Sequence, residues 1–324
     1  MSGPVKERET MLELRRVYRD FGSLRAVNDV SFKVGKGEVF GYIGPNGAGK
    51  TTSMRIVATL DLPTYGDAFV DGFSVINDPD RVRRRLGFMP DYFGTYHNMS
   101  CHEYLDFFAR SYGLKGAHRL DALDRVMAFT GLDAMAHKPV RGLSKGMKQR
   151  LCLGRSMIHD PAVLILDEPA AGLDPRARIE LRDMVRQLAS GGTTILVSSH
   201  ILTELAEICD RVAIIERGSL VAIGTVDEIR HGHLVSGADT PEFEVRVRVK
   251  GGAAELETWL IAREEVIDTQ LDGELLTFKH IATRDHEVAL LRELVEAGFP
   301  IAEFTRKDVS LEAVFLQVTK GQVQ

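Results

Sequence analysis

From Met11 to about Arg230, short apolar runs alternate with stretches whose apolar residues recur every three or four positions. Strands buried on both faces read as continuous apolar runs and amphipathic helices as a 3.6-residue period. The alternation therefore predicts an α/β domain with a mostly parallel sheet. The pattern predicts strands over residues 39–43, 162–166, 195–198 and 212–215, and helices over 52–58, 176–188 and 202–208. Between Ser100 and Ala136 only helical spacing remains, carried by Tyr104, Phe107, Phe108 and Tyr112, which reads as a helical subdomain at about residues 95–145.

The polar, glycine-containing segment 231–241 ends in Pro241 and marks a boundary. Beyond it the period shortens to two: Phe243, Val245, Val247 and Val249 alternate with Glu244, Arg246, Arg248 and Lys250, a strand with one wet face. A helix through Leu256, Trp259 and Leu260 follows. Strands at 266–271 and 275–278 flank an Asp272-Gly273 hairpin turn. A helix capped by Asp285, carrying Val288, Leu291 and Val295 and stopped by Gly298, leads to a last strand at 301–305. The β-α-β-β-α-β order is ferredoxin-like. Leu311, Val314, Phe315 and Val318 predict a closing amphipathic helix. The domain plan is thus a leader at 1–10, an α/β domain at 11–235 and a smaller α+β domain at 242–324.

At 324 residues the chain has room for two cores. A net charge of -5 provides no overall basic field, so nucleic acid is not an expected partner. Cys101, Cys152 and Cys209 are odd in number and form no C-x-x-C pair, which argues against a disulfide framework or a zinc site. The leader has no apolar stretch of the kind a secretory signal carries. No apolar run approaches the roughly 20 residues that span a bilayer, so any membrane role is expected to come through a partner.

Gly44-Pro45-Asn46-Gly47-Ala48-Gly49-Lys50-Thr51 matches G-x-x-x-x-G-K-[ST], between a predicted strand and the helix that Thr52 opens. The glycines let successive backbone N–H groups turn inward around phosphates, and the helix adds its positive end. Lys50 is expected to reach the β and γ phosphates of ATP, and the Thr51 hydroxyl to hold Mg²⁺. The apolar run 163–166 ends in Asp167-Glu168, placing Asp167 to bind Mg²⁺ and Glu168 to polarise the attacking water. Adjacent carboxylates raise each other's pKa unless a cation is near.

These two motifs are common to all phosphate-loop NTPases. Leu143-Ser144-Lys145-Gly146-Met147 resembles the LSGGQ signature of the ABC ATPases, Gly172-Leu173-Asp174 their D-loop, and Ser198-Ser199-His200 their switch histidine segment. Phe21, just before Gly22, is similar in position to their adenine-stacking aromatic residue. The resemblance covers residues 11 to 230. It implies a nucleotide-binding subunit of a transporter, at the cytoplasmic face of the membrane and bound to an integral-membrane permease. It also implies head-to-tail pairing of two copies, each signature meeting the other copy's ATP, with His200 on the γ-phosphate. The unit from about Glu242 resembles the domain appended to ABC-2-type export cassettes. The alternatives are an importer cassette and a non-transport ABC ATPase acting on ribosomes or DNA.

Two departures stand out. Asp91 occupies the place of a glutamine that, in the family, touches Mg²⁺ and water; it is either a metal ligand or a conformational lever. Lys145 and Met147 replace glycine and glutamine in the signature. The aromatic residues Tyr92, Phe93, Tyr96, Tyr104 and Phe107 read either as subdomain core or as a surface for the membrane partner. Arg81, Arg83, Arg84 and Arg85 read as a solvated helix face.

Overall fold

The computed structural model describes residues 8–92, 94, 96, 98–201, 205, 207–230, 242–281 and 284–307. Two compact units divide between Ile223 and Gly224. The expected closing helix over 311–318 lies outside the described residues, as does most of the one expected over 202–208.

The first unit contains two sheets. The larger has six strands in the order β10-β9-β3-β8-β7-β6: β10 (Ser219–Thr225), β9 (Arg211–Glu216), β3 (Val39–Ile43), β8 (Thr194–Ser199), β7 (Val163–Leu166) and β6 (Leu86–Met89). From β9 to β6 the pairs are parallel, and β3, β7 and β8 are buried along their whole length, as their unbroken apolar runs require. The sequence pattern located these strands to within a residue at either end.

The second sheet, which the pattern did not announce, is antiparallel, in the order β2 (Leu24–Gly35), β1 (Thr10–Phe21), β4 (Tyr65–Val70) and β5 (Phe73–Ser74). Its alternation is hidden by a bulge: pairing shifts between Leu14 and Val17, and Arg16 takes a left-handed φ of 48°. One extra residue at that point reverses the in-out phase of the strand. Gly66 faces the bulge; a β-carbon there would lie 2.0 Å from the Arg16 carbonyl oxygen. Helix α1 (Lys50–Val57) packs against β1, β2 and β4, and Met54 and Ile56 join Leu12, Leu14, Phe40 and Tyr42 in one core.

Helix α2 (Pro79–Arg85) presents Arg81, Arg83, Arg84 and Arg85 to solvent and buries only Val82. Helices α3 (Cys101–Ser111), α4 (Gly116–Thr130) and α5 (Lys145–Met157) pack on one another as the helical subdomain. A capping box starts α3: the Glu103 amide donates to the Ser100 hydroxyl, and Glu103 Oε2 accepts from the Ser100 amide at 2.8 Å. Tyr104 is fully buried, whereas Phe107 and Tyr96 are 41% and 53% exposed and meet edge to face with centroids 5.7 Å apart. The aromatic residues thus divide between core and surface. Helix α6 (Pro175–Ser190) opens on Asp174, whose carboxylate accepts from the Ala177 amide.

The second unit begins in the last residues of β10 and a short helix, α7 (Val226–Arg230). It then forms an antiparallel sheet in the order β12 (Val266–Asp272), β13 (Leu275–Ile281), β11 (Glu242–Val249), β14 (Ile301–Lys307), with α8 (Ala253–Ile261) and α9 (Arg284–Glu296) supplying Leu256, Leu260, Leu290 and Leu294 to its core. Three local expectations are corrected. The β12–β13 turn is Gly273-Glu274, because Asp272 pairs with Leu275 and Gly273 takes φ 61°. Asp285 lies inside α9, which starts at Arg284. Val288 and Val295 are 61% and 59% exposed; Leu290 and Leu294, at the same spacing one register away, are the buried stripe.

Candidate functional site

The phosphate loop leaves the C-terminal end of β3, at the crevice where open parallel sheets bind ligands. Gly47 and Gly49 hold φ values of 80° and 101°, which turn the loop amides inward. At Gly44 and Gly49 the backbone approaches closely: a β-carbon at Gly44 would lie 2.4 Å from the Ile215 carbonyl oxygen and one at Gly49 2.4 Å from that of Ala26. Pro45, Asn46 and Gly47 are exposed at the rim, while Ala48, Gly49 and Lys50 are buried. Thr51 and Thr52, in the first turn of α1, are exposed and half-buried.

Lys50 does not extend into solvent. Its ammonium donates to the carbonyl oxygens of Gly44 at 2.6 Å and Pro45 at 3.2 Å, and lies 3.3 Å from Glu168 Oε1. The other carboxylate oxygen of Glu168 meets His200 Nδ1 at 2.8 Å. Glu168 is thereby held between a phosphate-loop cation and the imidazole at the end of β8. Glu168 carries a left-handed φ of 48°, unusual for a residue with a β-carbon, at the turn just beyond β7.

Asp167 is 1% exposed. Its amide donates to the Met89 carbonyl oxygen, and its Oδ1 accepts from the Ser198 hydroxyl at 2.7 Å. Burial pushes the Asp167 carboxyl up from its ordinary range; the Ser198 and Thr51 hydroxyls oppose this, and the charges of Glu168 and Asp91 add to it. Oδ2 is buried without a hydrogen-bond partner. A buried carboxylate oxygen lacking a donor, with a threonine hydroxyl beside it, fits a hard divalent cation such as Mg²⁺. Among the described residues no three His, Cys, Asp or Glu side chains gather into a metal cage. Asp91, exposed two residues beyond β6, stands next to this edge because β6 and β7 pair in register, Met89 opposite Leu166.

Ser198 had no assigned role from sequence beyond its place in the switch segment. Its hydroxyl also accepts from the Glu168 backbone amide at 2.9 Å, so one side chain on β8 holds the Asp167 carboxylate and the backbone of Glu168. A polar residue ending an apolar strand run was the available signal; its partners just beyond β7 depend on the parallel register.

The remaining residues sit at two other places. Phe21 closes β1, is 46% exposed, and has the Arg19 guanidinium 4.4 Å above its ring. Ser144 is the N-cap of α5 and accepts from the Met147 amide at 3.3 Å; Leu143 is buried behind it. Ser144, Gly146 and Met147 line a cleft of about 130 Å³ with Leu173 and Asp174, and Lys145 lies against Gly172. The signature and D-loop segments are therefore neighbours within the chain.

Comparison with known proteins gives a consistent result. A family model described as ABC transporter matches residues 27–171. The daunorubicin resistance ATP-binding protein DrrA3 of Streptomyces coeruleorubidus is 33% identical over 96% of each chain, and the Nod factor export ATP-binding protein I of Ralstonia nicotianae 33% identical over 99% of this chain and 98% of that one. The probable multidrug ABC transporter ATP-binding protein YbhF of Escherichia coli is 37% identical over 68% of this chain, which spans 38% of YbhF. Among solved structures, an ATP-binding subunit of an ABC transporter superposes with TM-score 0.64 at 31% identity, covering 71% of this chain and 95% of that one.

Proposed function

The chain belongs to the family of ATP-binding subunits of ABC transporters, and from that premise we propose that it hydrolyses ATP to drive export through a separate integral-membrane permease. The observation that carries this reading is the convergence of Lys50, Asp167, Glu168 and His200 on one crevice, with Lys50 3.3 Å from Glu168 and Glu168 2.8 Å from His200. A lysine that grips phosphate and a carboxylate that aligns water must lie within one phosphoryl group of each other.

In this reading residues 44–52 cradle the triphosphate, and Lys50 moves from the loop carbonyls and Glu168 to the β and γ phosphates. Glu168, so released, accepts the hydrogen bond of the attacking water, and His200 holds Glu168 and the γ-phosphate in register. Thr51, Asp167 and Asp91 are the residues that would hold Mg²⁺, which when bound neutralises phosphate charge. Phe21 is the adenine platform, for which Arg19 must yield its ring face. Two copies pair head to tail, so that residues 143–147 and the 172–174 loop complete the partner's site. The pair works at the cytoplasmic face of the membrane, with the exposed Tyr92, Tyr96 and Phe107 as the permease-facing patch. The export direction rests on the relatives' names and on the appended β-α-β-β-α-β unit, for which a dimer-stabilising or regulatory role is the simplest. No observation on this chain favours a ribosome or DNA role.

Lys50→Ala tests the site. ATP affinity measured by calorimetry is expected to fall at least about 100-fold, since the substitution removes a charge-assisted contact to two phosphates and strips Glu168 of its cation. Unchanged affinity would place the nucleotide elsewhere.

A further inference from the structure

Between α6, the end of β8 and the stretch that follows Glu168, the first unit encloses a cavity of about 290 Å³. None of residues 44–52 lines it, so it is separate from the phosphate loop. Leu181, Val185, Val197, Leu205 and Ile208 make its walls apolar, and Ile179, also in the lining, is 49% exposed and opens it to solvent. Two guanidinium groups line it as well. That of Arg178 donates from Nε to the Leu173 carbonyl oxygen at 3.0 Å. That of Arg182 donates from Nη1 to Glu207, yet its Nε–H is buried and meets no acceptor; Asp183 Oδ1 is 3.9 Å away, beyond hydrogen-bond reach.

A concave, mostly apolar pocket with a few placed polar groups is the form of a small-molecule site, and this volume lies close to the lower end of the roughly 300–1,000 Å³ such sites enclose. A buried donor without a partner costs free energy until an acceptor meets it. A carboxylate supplies that acceptor together with the charge a guanidinium favours, and an apolar chain behind it suits the walls. We infer that this cavity is a second ligand site of the chain, for a small amphipathic carboxylate with its head on Arg182 and its apolar part among Val185, Val197 and Leu205.

The walls lead to the nucleotide crevice. Pro169 directly follows Glu168, Ser199 directly precedes His200, and Pro175 opens α6 just after the 172–174 loop; all three line the cavity. A ligand that fits the cavity favours the arrangement that contains it. In that arrangement Glu168 is held by Lys50 at 3.3 Å and by His200 at 2.8 Å. The carboxylate ligand thus works against the release of Glu168 that ATP binding requires, and opposes nucleotide from outside its site. That regulation rests on the ATP-hydrolysing reading above, whereas binding to the cavity does not.

The test uses the full chain with sodium decanoate, kept below its micelle-forming concentration, and decanol as the uncharged probe. Calorimetry without nucleotide is expected to show saturable one-to-one binding of decanoate, with decanol weaker by at least about tenfold for want of the charge-assisted contact. Arg182→Met should weaken decanoate by at least about tenfold and leave decanol as it was. Val185→Phe, which puts a ring into the cavity, should abolish binding of both. Decanoate is further expected to raise the ATP needed for half-maximal phosphate release at least about fivefold in the parent, and not in Val185→Phe. Absence of saturable decanoate binding, or binding that survives both substitutions, overturns the site. Decanol matching decanoate overturns the carboxylate. Decanoate that binds but leaves the ATP titration unmoved overturns the regulation. A parent that hydrolyses no ATP at all sinks the proposed function and the regulation with it, while calorimetry still decides the site.

Discussion

Lys50 and Glu168 form an ion pair of 3.3 Å in which both side chains are nearly buried, at 6% and 13% exposure. In the proposed function the pair joins the phosphate-binding residue to the residue that aligns water, and each occupies the other's working position. On that proposal nucleotide binding has to break this contact before chemistry begins, and the two charges compensate each other until then.

Glu168→Gln should separate those roles. It removes the charge that holds Lys50 back, so ATP affinity measured by calorimetry is expected to rise about fivefold, corresponding to about 1 kcal/mol for a mostly buried pair losing one charge. Turnover measured by phosphate release is expected to fall at least about 100-fold with loss of the base. Weaker ATP binding in this variant would show that the ion pair does not compete with nucleotide.

Gly49 and Gly47 both have positive φ, yet the structure treats them differently. Gly49→Ala drives a β-carbon to 2.4 Å from the Ala26 carbonyl oxygen, whereas Gly47→Ala meets nothing within 4 Å. The first is expected to cost about 3 kcal/mol or more, from strain plus overlap, and the second about 1 kcal/mol, from strain alone. Denaturant midpoints of the two variants check the order; equal losses would mean that the approach of β2 to the loop is not rigid.

His159 should give the protein an acid-sensitive joint. Its ring stacks on Tyr112 at 3.7 Å, its Nε2 meets the Leu86 carbonyl oxygen at 3.1 Å, and burial pushes its pKa down to about 4. The unfolded chain takes up a proton near pH 6.5 and the folded chain only near pH 4, so stability is lost as pH falls through that window and is intact above it. The loss approaches about 3 kcal/mol at the lower end. His159→Phe keeps a ring against Tyr112 and cannot titrate; unfolding followed from pH 7 to pH 4 should show a shallower decline than in the parent. An unchanged slope would assign the acid sensitivity elsewhere.

The ferredoxin-like order and the strand–loop–helix context of the phosphate loop were legible because each depends on local pattern: uninterrupted apolar runs, period-two alternation, and glycines where a chain must turn around an anion. Val288 and Val295 show the limit of such reading, since two stripes one residue apart have the same helical spacing and only the packed sheet chooses Leu290 and Leu294. The bulge at Arg16 shows another, because a shift of phase within a strand erases alternation from the sequence while leaving the pairing with β2 and β4 intact.

For the site, the sequence by itself determined the chemical inventory: a lysine after glycines, a carboxylate pair after an apolar strand, a histidine after another, a signature with a lysine in it. Tertiary structure decided who touches whom. Parallel pairing of β7 with β8 sets Ser198 on the Asp167 carboxylate and the Glu168 amide and His200 on the Glu168 carboxylate, and β3 beside β8 brings Lys50 to that same Glu168 carboxylate. Residues more than a hundred positions apart meet there because strand order is set by burial of whole apolar faces, a long-range choice that no local spacing records.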